Sequence, residues 1–345
     1  NSGRLTMWAG IAIGIAAAIY FANPLKEFDT ILSTVNTGIM PSLIFGAFAG
    51  IIGFIVTDPS LDKVEKDRVW VIVVLTLFTV FFWWAFEQSG GSMTIFAADY
   101  TERTLVGGQA MTFKIVNALL HIVPMAIITY VLWRLFQSTF SAIPVSNVIL
   151  ASSFVAIWGV IIWMLYREFT DDKTEVAASW FGILNSFFII TFAPMFSKFW
   201  DLKIIKSGPI KFAMGLLLLE IGFAFLAWGS NGIPQGAKTA SVSMIWLILA
   251  YLFHTLGELC LSPVGLSYVS KLAPVRLIGL MFGVFFLANF MANWAGGMTG
   301  SFIDQIVEKN SMTTFFLIFT LIPAGAAVVL ILINPFLKRM MHGID

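Results

Sequence analysis

The chain has 345 residues, of which 59% are hydrophobic and 11% are charged. A soluble globular protein carries about 25% charged residues, and no water-soluble fold can bury this much apolar surface. The net charge of +1, without a long basic tract, argues against nucleic acid as a partner. The lone Cys260 excludes an intrachain disulfide and the cysteine-rich metal motifs. The membrane is therefore the solvent in which this chain folds.

Apolar runs recur along the whole chain, and a run of about 20 residues crosses a hydrocarbon layer about 30 Å thick as a helix. Ten spans are predicted in chain order: 5–22, 37–57, 69–97, 112–136, 145–166, 178–199, 208–228, 240–270, 276–299 and 312–336. The strands of a membrane β-barrel alternate apolar and polar residues, which the run from Val69 to Ala85 does not. The predicted fold class is an all-α polytopic membrane protein.

The positions of lysine and arginine in the short loops indicate the orientation. With a cytoplasmic N-terminus, most of the 20 basic residues lie on the cytoplasmic side. Both termini are then predicted to be cytoplasmic, and the location is the bacterial inner membrane. The chain starts at Asn1 and its first apolar run does not resemble a cleaved signal peptide, so we expect a segment upstream of it.

Two of the spans, 69–97 and 240–270, are long enough to tilt strongly or to break. The second contains Pro263, which removes the amide that would bond the carbonyl of Leu259. A loosened backbone at this depth is tolerated where it lines a cavity. Gly279 and Gly283 form a face of small residues, for which tight packing and gating are both open interpretations.

Ionisable groups inside the spans are the candidates for function, because each costs about 2.5 to 3.5 kcal/mol to insert. Glu258 lies one turn after His254 and one turn before Ser262, so the three side chains share a helix face. They predict a cation or proton site, and the alternative is a polar cluster that joins helices. Glu220 has only apolar neighbours in sequence, which favours packing against a donor on another helix.

Glu87 follows an aromatic run and precedes a polar, glycine-rich stretch. A buried glutamate that alternates between apolar and charged surroundings can take up and release a proton. The alternative is a residue that caps the outer end of the helix. Trp83 and Trp294 are predicted to wall a pocket rather than to anchor the interface, whereas His121 is predicted to be a satisfied core histidine.

Enzyme motifs are missing from the sequence. It contains no P-loop, HExxH, GxSxG or paired-cysteine motif, so an ATPase, protease or hydrolase is not indicated. We predict a transporter that is not an enzyme, has no metal and no cofactor, and is driven by an ion gradient.

Three segments resemble helices of the proton-dependent oligopeptide transporter (POT) family of the major facilitator superfamily. The segment FWWAFEQSGGS (82–92) resembles the family's seventh-helix motif, and GELCLSPVGL (257–266) resembles its tenth-helix motif, which is the most specific of the three. The segment from Ser179 to Phe181, with Asn185 and the following FAP at 192–194, is similar to its eighth helix. Gly182 and Ser186 depart from that helix, where the family usually has Gln and Pro.

The resemblance implies a division of the chain into four parts. Residues 1–60 would be two linker helices, 61–104 the first helix of a major-facilitator-type C-terminal six-helix bundle, and 171–345 its other five helices. Residues 105–170 would be an inserted transmembrane hairpin, which departs from the family pattern. The family's N-terminal six-helix bundle is missing from this chain, and without it we expect no transport.

The resemblance also implies proton-coupled symport of di- and tripeptides by alternating access, with the lipid bilayer as the other partner. Major-facilitator transport of another small solute and a non-transporting membrane scaffold are the alternatives, and homo-oligomerisation stays open. Five residues are predicted to bind the substrate: Glu258, Asn185, Trp83, Trp294 and Ser262. Glu258 would receive the peptide's N-terminal ammonium, assisted by Asn185. Two residues are predicted to serve proton coupling and gating: Glu87 and His254.

Overall fold

The protein is predominantly helical in a computed structural model that describes residues 2–22, 38–171, 173–202, 205 and 207–344. The helices are α1 Ser2–Ala22, α2 Met40–Val56, α3 Lys63–Phe86, α4 Ser92–Ile95, α5 Gly107–Thr139, α6 Pro144–Thr170, α7 Phe181–Asp201, α8 Gly208–Gly229, α9 Ile245–Leu272, α10 Ile278–Ser301, α11 Ile303–Lys309 and α12 Met312–Met340. Two-residue strands β1 Thr101–Glu102 and β4 Val242–Ser243 pair in parallel, and β2 Thr104–Leu105 and β3 Thr174–Glu175 pair antiparallel. The predicted all-α membrane fold is confirmed.

Nine helical segments among the described residues are long and apolar enough to cross a membrane. The tenth predicted span, 37–57, corresponds to α2, which has 17 residues and is shorter than the others. Residue 37 and the segment before it, from 23 onward, lie outside the described residues. The chain is an integral membrane protein, and the exact number of its spans stays a prediction.

The chain divides into two compact units. The bundle unit comprises Asn1–Glu102 and Ala178–Asp345, and the hairpin unit comprises Arg103–Ala177. In the hairpin unit, β2 precedes α5 and β3 follows α6, so the antiparallel β2–β3 pair joins the two ends of the hairpin. In the bundle unit, α8 packs against both α9 and α12, and α10 packs against α3. The functional division of the chain into domains stays a prediction.

Helix α3 has a defined start and a defined break. The Asp62 carboxylate accepts a hydrogen bond from the Glu65 amide at 2.7 Å, and the Glu65 carboxylate accepts one from the Asp62 amide at 3.2 Å. This reciprocal pair satisfies two amides that have no partner inside the helix. The α-helix ends at Phe86 and continues as a 3₁₀ turn over Glu87–Gly90. By contrast, α9 continues through Pro263 to Leu272.

Glycines permit a close crossing of α8 and α9. A Cβ added to Gly257 would lie 2.6 Å from the carbonyl oxygen of Gly215, and one added to Gly222 would lie 2.5 Å from Cδ2 of His254. Any other residue at either position would push the helices apart, because backbone and ring atoms already occupy that space. This crossing fixes the helix that carries Glu258.

Candidate functional site

Glu258 on α9 is held by an amide from α7. The Nδ2 atom of Asn185 donates to Oε2 of Glu258 at 3.0 Å and to Oγ1 of Thr255 at 3.1 Å. Thr255 in turn donates to the carbonyl of Tyr251 at 2.7 Å. Both hydrogens of the Asn185 amide are therefore used, and its carbonyl oxygen keeps its capacity to accept. The predicted pair of Glu258 and Asn185 is brought together across two helices.

Glu258 is half-buried, and no lysine, arginine or histidine of the described residues forms an ion pair with it. Its charge interacts with that of Glu87 on the turn after α3. Two carboxylates that repel each other each favour the binding of a proton or another positive charge nearby. The arrangement can hold an ammonium group, a proton, or both.

Glu87 lies at the contact between α3 and α10. The side chain of Asn293 on α10 lies near its carboxylate. Gln88 donates to the carbonyl of Gly296 at 3.0 Å, and the indole of Trp84 donates to the hydroxyl of Thr299 at 3.0 Å. Residues four apart share a helix face, so Trp84 and Gln88 dock onto α10 together. The polar stretch after the aromatic run is thus a helix-docking segment as well as a candidate site.

Aromatic rings before Glu87 on α3 contact rings on α9 and α8. Trp83 is half-buried and meets Phe86 edge to face, with ring centroids 5.1 Å apart. Phe86 lies 6.4 Å from the ring of His254, which lies 4.4 Å from the ring of Phe223. Trp83 therefore belongs to a ring cluster that continues to His254.

His254 is 1% exposed, and neither ring nitrogen has a hydrogen-bond partner within the part of the chain that the structure describes. An unsatisfied buried polar group costs about 1 to 3 kcal/mol, so its presence requires an explanation. His254 shares its helix face with Glu258, as predicted, but their side chains are not joined by a hydrogen bond. Its role in proton coupling stays a prediction.

Ser262 is half-buried one turn beyond Glu258, and Trp294 is half-buried next to Asn293 on α10. Successive helix residues are rotated by about 100°, so Trp294 projects from a different side of α10 than Asn293. Their roles in substrate binding stay predictions. The oxygen Oε2 of Glu220 is buried without a hydrogen-bond partner among the described residues, so the donor expected on a neighbouring helix is not found for that atom.

Two groups were missed from the sequence. Thr255 orients Asn185, and Asn293 lies near Glu87. Both are polar residues within membrane helices, which is the signal that could have identified them. No set of three or more His, Cys, Asp and Glu side chains in the described ranges is placed to hold a metal ion, and the absence of a cofactor stays a prediction.

The helical fold defines a polytopic membrane protein with half-buried carboxylates in its membrane helices. Residues 148–317 match the profile of the POT family. This match includes the segments that resemble the family's eighth and tenth helices, so the predicted resemblance to this family is confirmed. Members of that family are transporters and not enzymes.

The chain is similar to several bacterial transporters. It is 28% identical over 345 residues to "Uncharacterized transporter YclF" of Bacillus subtilis, covering 99% of this chain and 55% of the relative. It is 28% identical over 287 residues to "Peptide transporter YePEPT" of Yersinia enterocolitica, covering 82% of this chain and 43% of the relative. It is 32% identical over 174 residues to "Dipeptide and tripeptide permease B" of Aeromonas hydrophila, covering 47% of this chain and 34% of the relative. The first two relatives match this chain along most of its length. The chain spans only about half of their length.

Solved structures share the fold. A crystal structure of a POT family transporter in complex with 5-aminolevulinic acid has a TM-score of 0.63 at 19% identity, covering 96% of this chain and 54% of that one. A crystal structure of peptide transporter POT in complex with sulfate has a TM-score of 0.62 at 22% identity, covering 96% of this chain and 52% of that one. At this level of identity the likeness shows the fold alone. It confirms the predicted all-α polytopic membrane fold, which these solved structures share.

Proposed function

We propose that this protein takes part in proton-coupled symport of di- and tripeptides by alternating access. The observation that carries the proposal is the Glu258 carboxylate, held by Asn185 inside a membrane bundle without a basic partner among the described residues. Two of the relatives are named peptide transporter and dipeptide and tripeptide permease. Because those relatives are about twice as long, we include in the proposal a further six-helix bundle that completes the transport path.

In this proposal Glu258 binds the N-terminal ammonium of the peptide. A primary ammonium has three donors and needs acceptors placed around it. The carboxylate of Glu258 and the carbonyl oxygen of Asn185 supply two of them, since the amide hydrogens of Asn185 are already used. Ser262, one turn along α9, supplies a hydroxyl. Trp83 and Trp294 are the proposed apolar walls.

Glu87 is the proposed proton carrier. Its charge interacts with that of Glu258, so a proton on Glu87 removes a repulsion that a bound ammonium would otherwise have to offset. Peptide and proton are thereby linked through two neighbouring carboxylates. His254 is included in the coupling set because its ring contacts Phe86, the residue before Glu87, and because its nitrogens lack partners in the described part of the chain.

A second candidate is symport of another small solute that carries an ammonium group. A solved structure that shares this fold was crystallised with one such solute, 5-aminolevulinic acid. The carboxylate and amide pair would bind that group in the same way. The two candidates differ in what surrounds the ammonium, so direct competition between solutes separates them.

The test is proton-driven uptake of a labelled dipeptide into liposomes that contain the protein of the full reading frame. Loss of a charge-assisted hydrogen bond is worth about 1.5 to 3 kcal/mol, so Glu258→Gln is expected to lower uptake about tenfold to a hundredfold. Glu220→Gln is the matched control, because Glu220 is also a half-buried carboxylate on a membrane helix. We expect that variant to keep its uptake.

Each other result has a distinct meaning. Full uptake by Glu258→Gln would remove Glu258 from the substrate site. A folded wild-type protein that takes up no peptide but takes up another amine in a Glu258-dependent manner would establish the second candidate. A folded protein that transports neither a peptide nor another amine would favour a non-transporting membrane scaffold.

A further inference from the structure

Three membrane helices meet at one end of the bundle unit, where α7 and α9 finish and α8 begins. The backbone amide of Gly208 donates to the hydroxyl of Tyr268 at 3.0 Å, and a Cβ added to Gly208 would overlap the Tyr268 ring. Ser207 donates to Oδ1 of Asn334 on α12 at 2.5 Å. These contacts fix the start of α8 against α9 and α12.

Two lysines lie at this junction, each beside an aromatic ring. Lys211 is in the first turn of α8, and its Nζ lies 4.6 Å from the centroid of the Trp200 ring on α7. Lys271 is one turn beyond Tyr268 at the end of α9, and its Nζ lies 5.9 Å from the centroid of that ring. The charges of the two lysines act on each other. The junction therefore carries two ammonium groups that repel each other.

No acidic residue of the described ranges neutralises this pair. Neither Lys211 nor Lys271 forms an ion pair within those ranges. Asp201, in the last turn of α7, is exposed and is not within ion-pair distance of either lysine. Because the described part of the chain supplies no counter-charge, the two lysines attract an anion from outside the protein.

Side chains, rather than helix amides, are the donors at this place. The amide of Gly208 is already used, Pro209 has no amide hydrogen, and the amide of Lys211 donates to a carbonyl of the preceding turn. The Nε1 atom of Trp200 is buried and has no hydrogen-bond partner in the described part of the chain. A buried donor without a partner is destabilising, and an acceptor oxygen beside Lys211 would satisfy it.

The junction lies on the lipid-facing side of the bundle. Only 11% of the most apolar window of α7 is buried, and Leu202, directly after this helix, is 66% exposed. Tryptophan and tyrosine rings at helix ends lie at the level of the lipid headgroups, which long lysine side chains also reach. The distribution of basic residues predicts that this end is cytoplasmic, the side on which anionic lipids attract lysine. The anion within reach is therefore the phosphate of a lipid.

We propose that the ends of α7 and α9 and the start of α8 form a binding site for the headgroup of an anionic phospholipid. Lys211 and Lys271 bind the phosphate as point charges, and Trp200 donates from its Nε1. A zwitterionic headgroup also contains phosphate, but it carries a cation of its own that the two lysines repel. The site is separate from Glu258, so this inference does not depend on the proposed function.

The measurement is native mass spectrometry of the protein of the full reading frame in detergent, titrated with phosphatidylglycerol or with phosphatidylcholine of the same acyl chains. We expect the wild type to bind phosphatidylglycerol more tightly. Lys211→Gln combined with Lys271→Gln removes both ammonium groups and is expected to weaken the binding of phosphatidylglycerol about thirtyfold. Trp200→Phe keeps a ring but removes the donor, and is expected to weaken it about tenfold.

Two further variants separate a built site from general attraction of charge. Lys238→Gln combined with Lys309→Gln removes the same charge from exposed positions at the opposite end of α8, and is expected to leave the affinity unchanged. Lys211→Arg combined with Lys271→Arg keeps both charges and is expected to retain binding. Lys271→Gln alone, at an exposed position, is expected to lose about fivefold and replaces the double glutamine variant if that variant does not fold.

Equal affinity of the wild type for the two lipids would overturn the inference. So would full binding of phosphatidylglycerol by the folded variants that lack Lys271, or an equal loss in the control that lacks Lys238 and Lys309. Inorganic phosphate is the last comparison, and we expect no displacement of the lipid at equal concentration. Displacement by phosphate would assign the two lysines to a free anion and refute the lipid site.

Discussion

The bundle unit and the hairpin unit are built from equally apolar helices, yet they bury them to very different extents. In five spans of the bundle unit, 33% to 56% of the most apolar window is buried, whereas the values are 0% and 11% for α1 and α7 of the same unit and 0% and 6% for the hairpin helices α5 and α6. Lipid is as apolar as leucine, so no hydrophobic force drives membrane helices together. Hydropathy therefore explains why both units enter the membrane but not why some of their helices are buried and others are exposed.

Small residues and hydrogen bonds account for the difference. In the bundle unit, Gly257 and Gly215 let two backbones touch. In the hairpin unit, Gly159 has nothing within 4 Å of an added Cβ. The hairpin helices are joined instead by polar contacts, among them Asn117 Nδ2 to Glu168 Oε2 at 2.7 Å. The bundle is held by close packing and the hairpin by a few hydrogen bonds.

The largest expected effect comes from a methyl group at the closest helix crossing. In Gly257→Ala the new Cβ would meet the Gly215 carbonyl at 2.6 Å, so α8 and α9 must separate. Overpacking of this kind costs about 1 to 3 kcal/mol. We expect a lower thermal midpoint of the purified protein and weaker uptake, because Glu258 follows directly on the same helix.

Gly159→Ala is the matched control in the hairpin unit and is expected to leave the thermal midpoint unchanged. Equal effects of the two substitutions would show that close packing does not distinguish the units. A stabilising effect of Gly257→Ala would contradict the helix spacing described above.

An intermediate effect is expected from the hairpin's hydrogen bond. Asn117→Leu leaves the Glu168 carboxylate without its donor in a partly buried position, which costs about 1 to 2 kcal/mol. The double variant Asn117→Leu with Glu168→Leu removes both partners and is expected to recover most of that loss. Thermal midpoints of the single and double variants measure the coupling, and strictly additive losses would refute it.

The smallest expected effect concerns an ion pair at the end of the α1–α2 pair. The hydrogen bond from Arg4 holds the pKa of Asp58 below its usual value of 3.8, and bonds from Ser60 add to this. A lowered pKa in the folded state means that the stabilisation is present above the usual value and is lost as the pH falls through the folded one.

Because the pair is partly exposed, the contribution is at most about 1 kcal/mol. The measurement compares thermal midpoints of the wild type and Asp58→Asn between neutral and strongly acidic pH. We expect the difference between the two proteins to shrink as the pH falls. A difference that grows on acidification would give the opposite sign and exclude the ion pair as its source.

Much of the site could be predicted from the sequence. Glu258 and Glu87 stand out because a carboxylate in an apolar run is costly, and the motifs around them carry the resemblance to the POT family. Asn185 was found only through that resemblance. Asn293 was missed because an amide costs less than a charge in a membrane helix, and nothing local to it indicates that it lies near Glu87.

The sequence by itself determined that the protein is helical and lies in the membrane, and which acidic residues lie inside its spans, since these follow from the length and composition of local segments. Only the tertiary structure decided which helices touch. It pairs Asn185 with Glu258, 73 residues away, leaves the nitrogens of His254 without partners in the described chain, and exposes both hairpin helices. The physical reason is that lipid-facing and protein-facing surfaces of a membrane helix are both apolar, so the sequence pattern does not distinguish them.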